Sequence, residues 1–439
     1  MKLTAKQIVL SILAIFVMFM PRRLSILGMF SFRIFIILAV VLAFLVFRIR
    51  IKLSGVLLMP TFWIYIGLML AVQLAHGEFS SMLVPLLDIV ALCVVLNSVL
   101  ETKEDIDFFV RLFLIMLIIY SVFCFVELFT GFTPWKLLGA VDRSTVRFGL
   151  HRSFGAYTTS NNNGSFLLLT FPVTWYAQKY FSEKRLPTIA LAATWIALIC
   201  TISRAQILAA IILHFIIIWR TGFISFFKRH FIKILIVLLV VAVLLLIPSV
   251  RSMFGNFFNM FQAIFDSSAE EEISESFGSN AGGVGQRTLL YSWVWQELKG
   301  HYWFGMGATR PLNHLWRPNQ WQVTVKKSIE NHYLSTLFRY GIVGLIALLS
   351  FLIQSSIFMF GKYRAERRIF SLKKASESIQ FRIMITMFCF FGVLFSVAAM
   401  DDYRMFFVLL VFAEAYHRTI VQPQSSGAGS QLPSRPLDE

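Results

Sequence analysis

The chain has 439 residues, of which 57% are hydrophobic and 14% charged, and its mean hydropathy is +0.73. Soluble globular chains carry about 45–50% apolar and ~25% charged residues, so this balance excludes intrinsic disorder, a secreted disulfide scaffold and an ordinary soluble enzyme. The formal net charge is +17, from 40 Lys and Arg against 23 Asp and Glu, and the placement of those cations becomes the functional question.

A bilayer core of ~30 Å takes about 20 apolar residues to cross as a helix. In chain order, candidate spans fall near 7–20, 34–47, 53–75, 82–100, 107–129, 164–178, 187–202, 205–219, 232–248, 331–359, 383–400 and 403–417. The expected class is an all-α polytopic membrane protein with about 12 transmembrane helices. The first two runs are short, and whether both span is open. The chain divides into nine helices over 1–248 with a loop near 131–162, one large loop over 249–330, three helices over 331–418, and a polar tail, 419–439, expected to be disordered. Met20-Pro21-Arg22 follows the first run without an A-x-A cleavage site, as in a retained anchor.

Lys2 and Lys6 place the N-terminus inside by the positive-inside rule. Alternation from there puts 22 cations inside and 16 outside, with Arg111 and Arg339 within spans. The sign is right for orientation, but sixteen outside cations exceed what orientation needs. Cys93, Cys124, Cys200 and Cys389 all fall in spans, which leaves no loop disulfide and no cysteine metal cluster. No GxGxxG, P-loop or HExxH pattern occurs; no cofactor and no nucleic-acid partner are expected. The absence of an internal repeat weighs against a transporter built from paired halves.

The large loop carries an acidic run, Asp266, Glu270, Glu271, Glu272 and Glu275, expected to be solvated surface. Ala281-Gly282-Gly283-Val284-Gly285-Gln286-Arg287 then leads into a predicted helix, about 286–299. Its first N–H groups can face an anion, and Arg287 can offer a bidentate fork to phosphate oxygens. A plain glycine loop with a surface arginine fits the same residues. The loop is rich in aromatic residues, and Trp293 and Trp303 are candidates to stack on sugars, with interfacial anchoring as the competing reading. It ends in Ser328-Ile329-Glu330-Asn331-His332-Tyr333-Leu334. Either Glu330 or His332 can serve as a general base; Glu330 could instead cap the following helix.

Three motifs together resemble one family. They are Thr201-Ile202-Ser203-Arg204-Ala205, Gly285-Gln286-Arg287, and Glu330-Asn331-His332-Tyr333-Leu334 followed by Gly341-Ile342-Val343-Gly344. Their order and spacing are similar to the O-antigen ligase and Wzy-type polysaccharide polymerase superfamily. Phe154-Gly155 with Asn161-Asn162-Asn163-Gly164, and Gly305-Met306-Gly307, add to the resemblance, which covers about 150–350. It implies a GT-C-like, metal-independent inverting glycosyltransferase of the bacterial inner membrane. Such an enzyme takes glycan from undecaprenyl-diphosphate-linked oligosaccharide on the periplasmic side, in exopolysaccharide or lipopolysaccharide synthesis. The acceptor is a glycan in a polymerase, or lipid A-core or protein in a ligase. A transporter or flippase of lipid-linked sugars is the third reading. Membrane lipids and other polysaccharide-assembly proteins are the further expected partners. By position, Arg204 and Arg287 match the family's diphosphate-holding arginines; Arg147 or Arg152 could aid them in binding the diphosphate. Glu330 stands where ligases carry His, Asn331 matches the family's Asn as a sugar contact, and His332 is shifted by two. A carboxylate at that place resembles the polymerases of exopolysaccharide type.

Overall fold

The computed structural model describes residues 3–19, 25–26, 29–77, 80–138, 146–147, 150–157, 159–222, isolated positions between 231 and 246, 284–308, 310–312, 314–319, 322–326, 329, 331–395, 397 and 404–425. Among these, the chain is an all-α membrane protein with three two-stranded hairpins. The helices are α1 (Ala5–Phe19), α2 (Ser31–Val40, continued by a π turn over Val41–Val46), α3 (Pro60–Ala75), α4 (Ser80–Val99), α5 (Lys103–Thr130), α6 (Ser160–Tyr180), α7 (Arg185–Cys200), α8 (Arg204–Thr221), α9 (Val284–Glu297), α10 (His332–Ile369), α11 (Ile379–Val393) and α12 (Arg404–Tyr416, continued by a π turn over His417–Val421). Lys103–Thr130, Arg204–Thr221, His332–Ile369 and Arg404–Gln424 are long and apolar enough to cross a membrane. Six others are shorter apolar helices. The expected span at 232–248, but for isolated positions, and the acidic run lie outside the described residues.

Several helix bounds depart from hydropathy for local reasons. The third helix starts at Pro60 rather than at 53, where the third expected span began, because Ser54–Met59 forms turns and Pro60 suits the first helical turn. α5 begins at Lys103, where Thr102 and Asp105 form a capping box. α10 does not stop near 359. It continues to Ile369 through Arg364, Arg367 and Arg368, straight-chain residues that favour helix whatever their charge. Its buried Glu366 accepts hydrogen bonds from Ser378 Oγ, Ile379 N, Gln380 N and Tyr416 Oη, and so closes the N-terminus of α11.

The bundle has two distinct ends. At one, Lys6, Lys52 and Glu101 form ion pairs, and Arg418 donates to Asn97 Oδ1 and to the carbonyls of Asn97 and Leu100 at the end of α4. At the other lie the C-terminal ends of α1, α3, α5, α7 and α11 and the N-terminal ends of α6, α8, α10 and α12. α5 packs on α7 and α1, α6 on α7, and α11 on α6, α8 and α10. Every described candidate residue sits at this second end.

α10 is broken there. Gly341 has φ 69° and ψ −168°, non-helical values inside a stretch that hydropathy reads as one span, two residues after Arg339. The freed backbone groups are taken up by the segment 302–307. Met306 N and Gly307 N donate to Phe338 O and Arg339 O at 2.9 and 3.1 Å, while Ile342 N and Val343 N donate to Tyr302 O and Trp303 O at 2.8 and 3.3 Å. In lipid an unpaired backbone group has no water to turn to, so such a break persists only where protein supplies the partners. Glycine is required on both sides. A Cβ at Gly341 would lie 2.2 Å from Trp303 O, and one at Gly305 2.5 Å from the carbonyl carbon of Arg339. α9 packs on the first half of α10 through Leu290, Val294, Leu298, Leu334, Leu337 and Phe338.

Candidate functional site

The floor of the site is the segment 151–157, fixed from several sides. Glu127 of α5 is buried, and its Oε2 accepts from Ser153 Oγ at 2.7 Å and from the N–H groups of Phe154 and Gly155 at 3.1 Å. Tyr120 donates to Asn163 Oδ1 at 2.6 Å and its hydroxyl accepts from Ala156 N. Gly155 has φ 52°, and an added Cβ would stand 2.0 Å from the Tyr120 hydroxyl. The Phe154-Gly155 pair is thus explained physically, as the place where a left-handed turn meets a buried tyrosine. Asn163 serves the same floor, donating to Ser153. Gly164 lets α6 approach α8, since a Cβ there would crowd Gln206 at 3.1 Å.

Arg204 opens α8 immediately after Thr201-Ile202-Ser203, where Ile202 holds φ 49°. Beside it, Arg152 Nε donates to Thr201 O at 3.2 Å, and Arg152 Nη2 donates to Asn161 Oδ1 at 2.9 Å and Ser203 Oγ at 3.2 Å. Ser203 Oγ also donates to Asn161 Oδ1 at 3.0 Å. Asn161 lies in the first turn of α6 and Arg204 in the first turn of α8. The structure therefore joins two helix N-termini and two arginines in one place. Aligned peptide dipoles put partial positive charge at such ends, and this is chemistry suited to an oxyanion.

Arg287 falls in the first turn of α9, which begins at Val284, two residues earlier than expected, so that Gly285 is inside the helix rather than before it. Arg287 is four residues before Tyr291 on the same helix. Tyr291 Oη in turn accepts from Asn331 Nδ2 at 2.8 Å. Asn331 is the N-cap of α10, with Oδ1 accepting from Leu334 N at 3.0 Å. The helix cap, the alternative role offered for Glu330, is made by its neighbour Asn331. Glu330 and the side chains of Arg287 and Arg147 lie outside the described residues; the backbone of Arg147 pairs with Leu150 in a short hairpin. Ile329 and Asn331, on either side of Glu330, are both buried.

His332 is 6% exposed. Its N–H donates to Leu394 O at the end of α11, and its ring Nε2 lies 3.4 Å from Thr336 Oγ1. α11 thus stands between the Arg152–Arg204 corner, which it flanks through α6 and α8, and the start of α10. Trp293 is partly buried against the α9–α10 core, while Trp303 is 64% exposed beside the break in α10. Sequence reasoning did not single out Glu127 or Tyr120, and it named Ser203 only as part of the Thr201–Ala205 motif, without a role. Glu127 carried a signal, as an acid inside an apolar run; Tyr120 carried none. Arg404, at the start of α12, is buried with its guanidinium 5.1 Å from the Phe16 ring centroid and 5.8 Å from that of Tyr157.

Residues 189–349 match a family described as O-antigen ligase. The matched stretch holds Arg204, Arg287, Glu330, Asn331, His332 and the Gly341 break. No curated protein matches the chain.

Proposed function

We propose that the chain, whose residues 189–349 match the O-antigen ligase family, is an inverting, metal-independent membrane glycosyltransferase of the bacterial inner membrane, of the O-antigen ligase and Wzy-type polymerase superfamily. It takes glycan from undecaprenyl-diphosphate carriers at the periplasmic face and extends a polymer. The observation that carries this reading is the meeting of Arg204, Arg152 and the N-terminal ends of α6 and α8 at one end of the bundle.

Arg204 and Arg287 hold the donor diphosphate and stabilise it as it leaves. Preorganised cations aimed at developing negative charge can supply the largest single share of a rate enhancement, and the guanidinium fork matches phosphate oxygens. Glu330 takes the proton from the acceptor hydroxyl as its oxygen attacks the anomeric carbon. The carbon–oxygen bond to the diphosphate breaks on the opposite face, which inverts the configuration. His332, buried against Thr336, is the weaker candidate for the base. Asn331 and the aromatic rings Trp293 and Trp303 border the glycan path.

A carboxylate at Glu330 favours the polymerase, with a second carrier-linked repeat unit as acceptor, over the ligase. Deleting the gene and comparing free polysaccharide with lipopolysaccharide separates the two. Loss of long free polymer with intact lipopolysaccharide supports the polymerase. Accumulation of long carrier-linked polymer supports the ligase. Transport of the carrier-linked glycan, with transfer unaffected, would contradict both. Glu330→Gln tests the base: normal turnover by this neutral isostere refutes its role.

A further inference from the structure

A diphosphate clamp needs Arg204 held in one place, and the connection that delivers it is unfavourable by itself. Ile202 sits at φ 49°, a region that L side chains seldom occupy. Something outside the connection must hold it, and the contacts converge on one side chain. The planar fork of Arg152 is spread over Thr201 O and Ser203 Oγ on the connection and Asn161 Oδ1 on α6. Ser203 is the N-cap residue of α8, so fixing it fixes the direction of the turn that carries Arg204. Asn161 is tied to α8 a second time, through its carbonyl, which accepts from Gln206 Nε2 at 3.1 Å. Arg152 is itself anchored, because Ser153 N donates to Cys200 O and Ser153 Oγ to Glu127.

We propose that Arg152 is a positioning residue for Arg204 and not a ligand of the donor diphosphate. The proposal rests on the reading that Arg204 binds the diphosphate, and it narrows the arginine cluster to one corner of direct binding. Both Nε and Nη2 are committed to acceptors on separate elements, a task set by the shape of guanidinium rather than by its charge. Lysine separates the two roles. An ammonium binds phosphate well as a point charge, but it cannot set two donors in one fixed plane.

The test uses the full-length protein in detergent with undecaprenyl diphosphate as the probe, and measures its affinity for the wild type, R152A, R152K, S203A, R204A and the R152A/R204A pair. A misplacement of about 1 Å in a binding group can cost on the order of 100-fold, so a clear drop of ~10-fold or more is expected. R152A and R152K should weaken binding equally, and S203A should weaken it while leaving the Arg152 charge in place. In the R204A background, R152A should cost nothing further, since coupled residues are non-additive. Wild-type affinity in R152K or in S203A, or losses from R152A and R204A that simply add, would overturn the proposal. If R204A alone binds as the wild type does, the clamp reading itself fails, and that outcome is distinct from failure of the Arg152 role. S203A keeps the proposal testable where R152A does not fold.

Discussion

Gly341→Ala is expected to be among the most damaging single-methyl changes in the chain. The residue holds φ 69° and ψ −168°, a region essentially restricted to glycine, where another residue costs on the order of 1–3 kcal/mol. Its new Cβ would stand 2.2 Å from Trp303 O and 2.5 Å from Phe304 N, both backbone atoms that cannot swing aside. Relief requires the segment 302–307 to pull away from α10. That breaks four backbone hydrogen bonds, at Met306, Gly307, Ile342 and Val343, worth about 0.5–1.5 kcal/mol each. Strain and lost bonds together come to roughly 3–9 kcal/mol. Thermal unfolding of the detergent-solubilised protein measures the effect, with Gly361→Ala as control. Gly361 has open space around its Cβ position, and alanine in a helix should cost nothing there and can add up to ~1 kcal/mol of stability. Equal melting temperatures for G341A and G361A would refute the reasoning.

Two further predictions concern contacts elsewhere in the bundle. Gly155→Ala should unseat the 151–157 floor, since it combines a positive φ, costing about 1–2 kcal/mol, with a Cβ 2.0 Å from the Tyr120 hydroxyl. The double variant G155A/Y120F, which removes the clashing oxygen, should recover part of the lost melting temperature, and no recovery would contradict the clash. Glu101, in the connection between α4 and α5, is pushed up by burial. The hydrogen bonds and charges of Lys52 and Lys6 outweigh that and hold its carboxyl below the ordinary value. A depressed carboxylate contributes stability above its unfolded pKa of ~4.3 and loses it as pH falls through the folded value. Wild-type melting temperature should therefore decline across that acid range more steeply than that of E101Q, and parallel curves would count against the ion pairs.

How much was legible in the sequence depended on the range of the forces involved. Helices lie at eleven of the twelve stretches that hydropathy read as spans, with most ends within a few residues, because burial of apolar runs is local information; the twelfth, 232–248, falls almost wholly outside the described residues. Hydropathy failed where another force set the boundary. α10 runs to Ile369 because Glu366 is buried against the start of α11, a contact between residues twelve to fourteen apart that no hydropathy window registers. The break at Gly341 lies inside a stretch that hydropathy reads as one span, so only its glycine hinted at it. Arg204 was readable as an arginine at a helix start. The role of Arg152 was not, since it depends on Asn161, Thr201 and Ser203, brought together by three separate packings. Phe154-Gly155 was readable as a family-like pattern, while its cause, the Tyr120 hydroxyl, becomes visible only in three dimensions.

The central claim is that guanidinium groups at Arg204 and Arg287 bind and stabilise the donor diphosphate. The most direct measurement is glycan transfer from a carrier-linked donor by protein reconstituted in liposomes, comparing the wild type with R204A and R287A at matched melting temperatures. Loss of a preorganised charge contact of this kind costs about 100- to 1,000-fold in rate, and each variant is expected to fall by that order. A wild-type transfer rate in either variant would contradict the account.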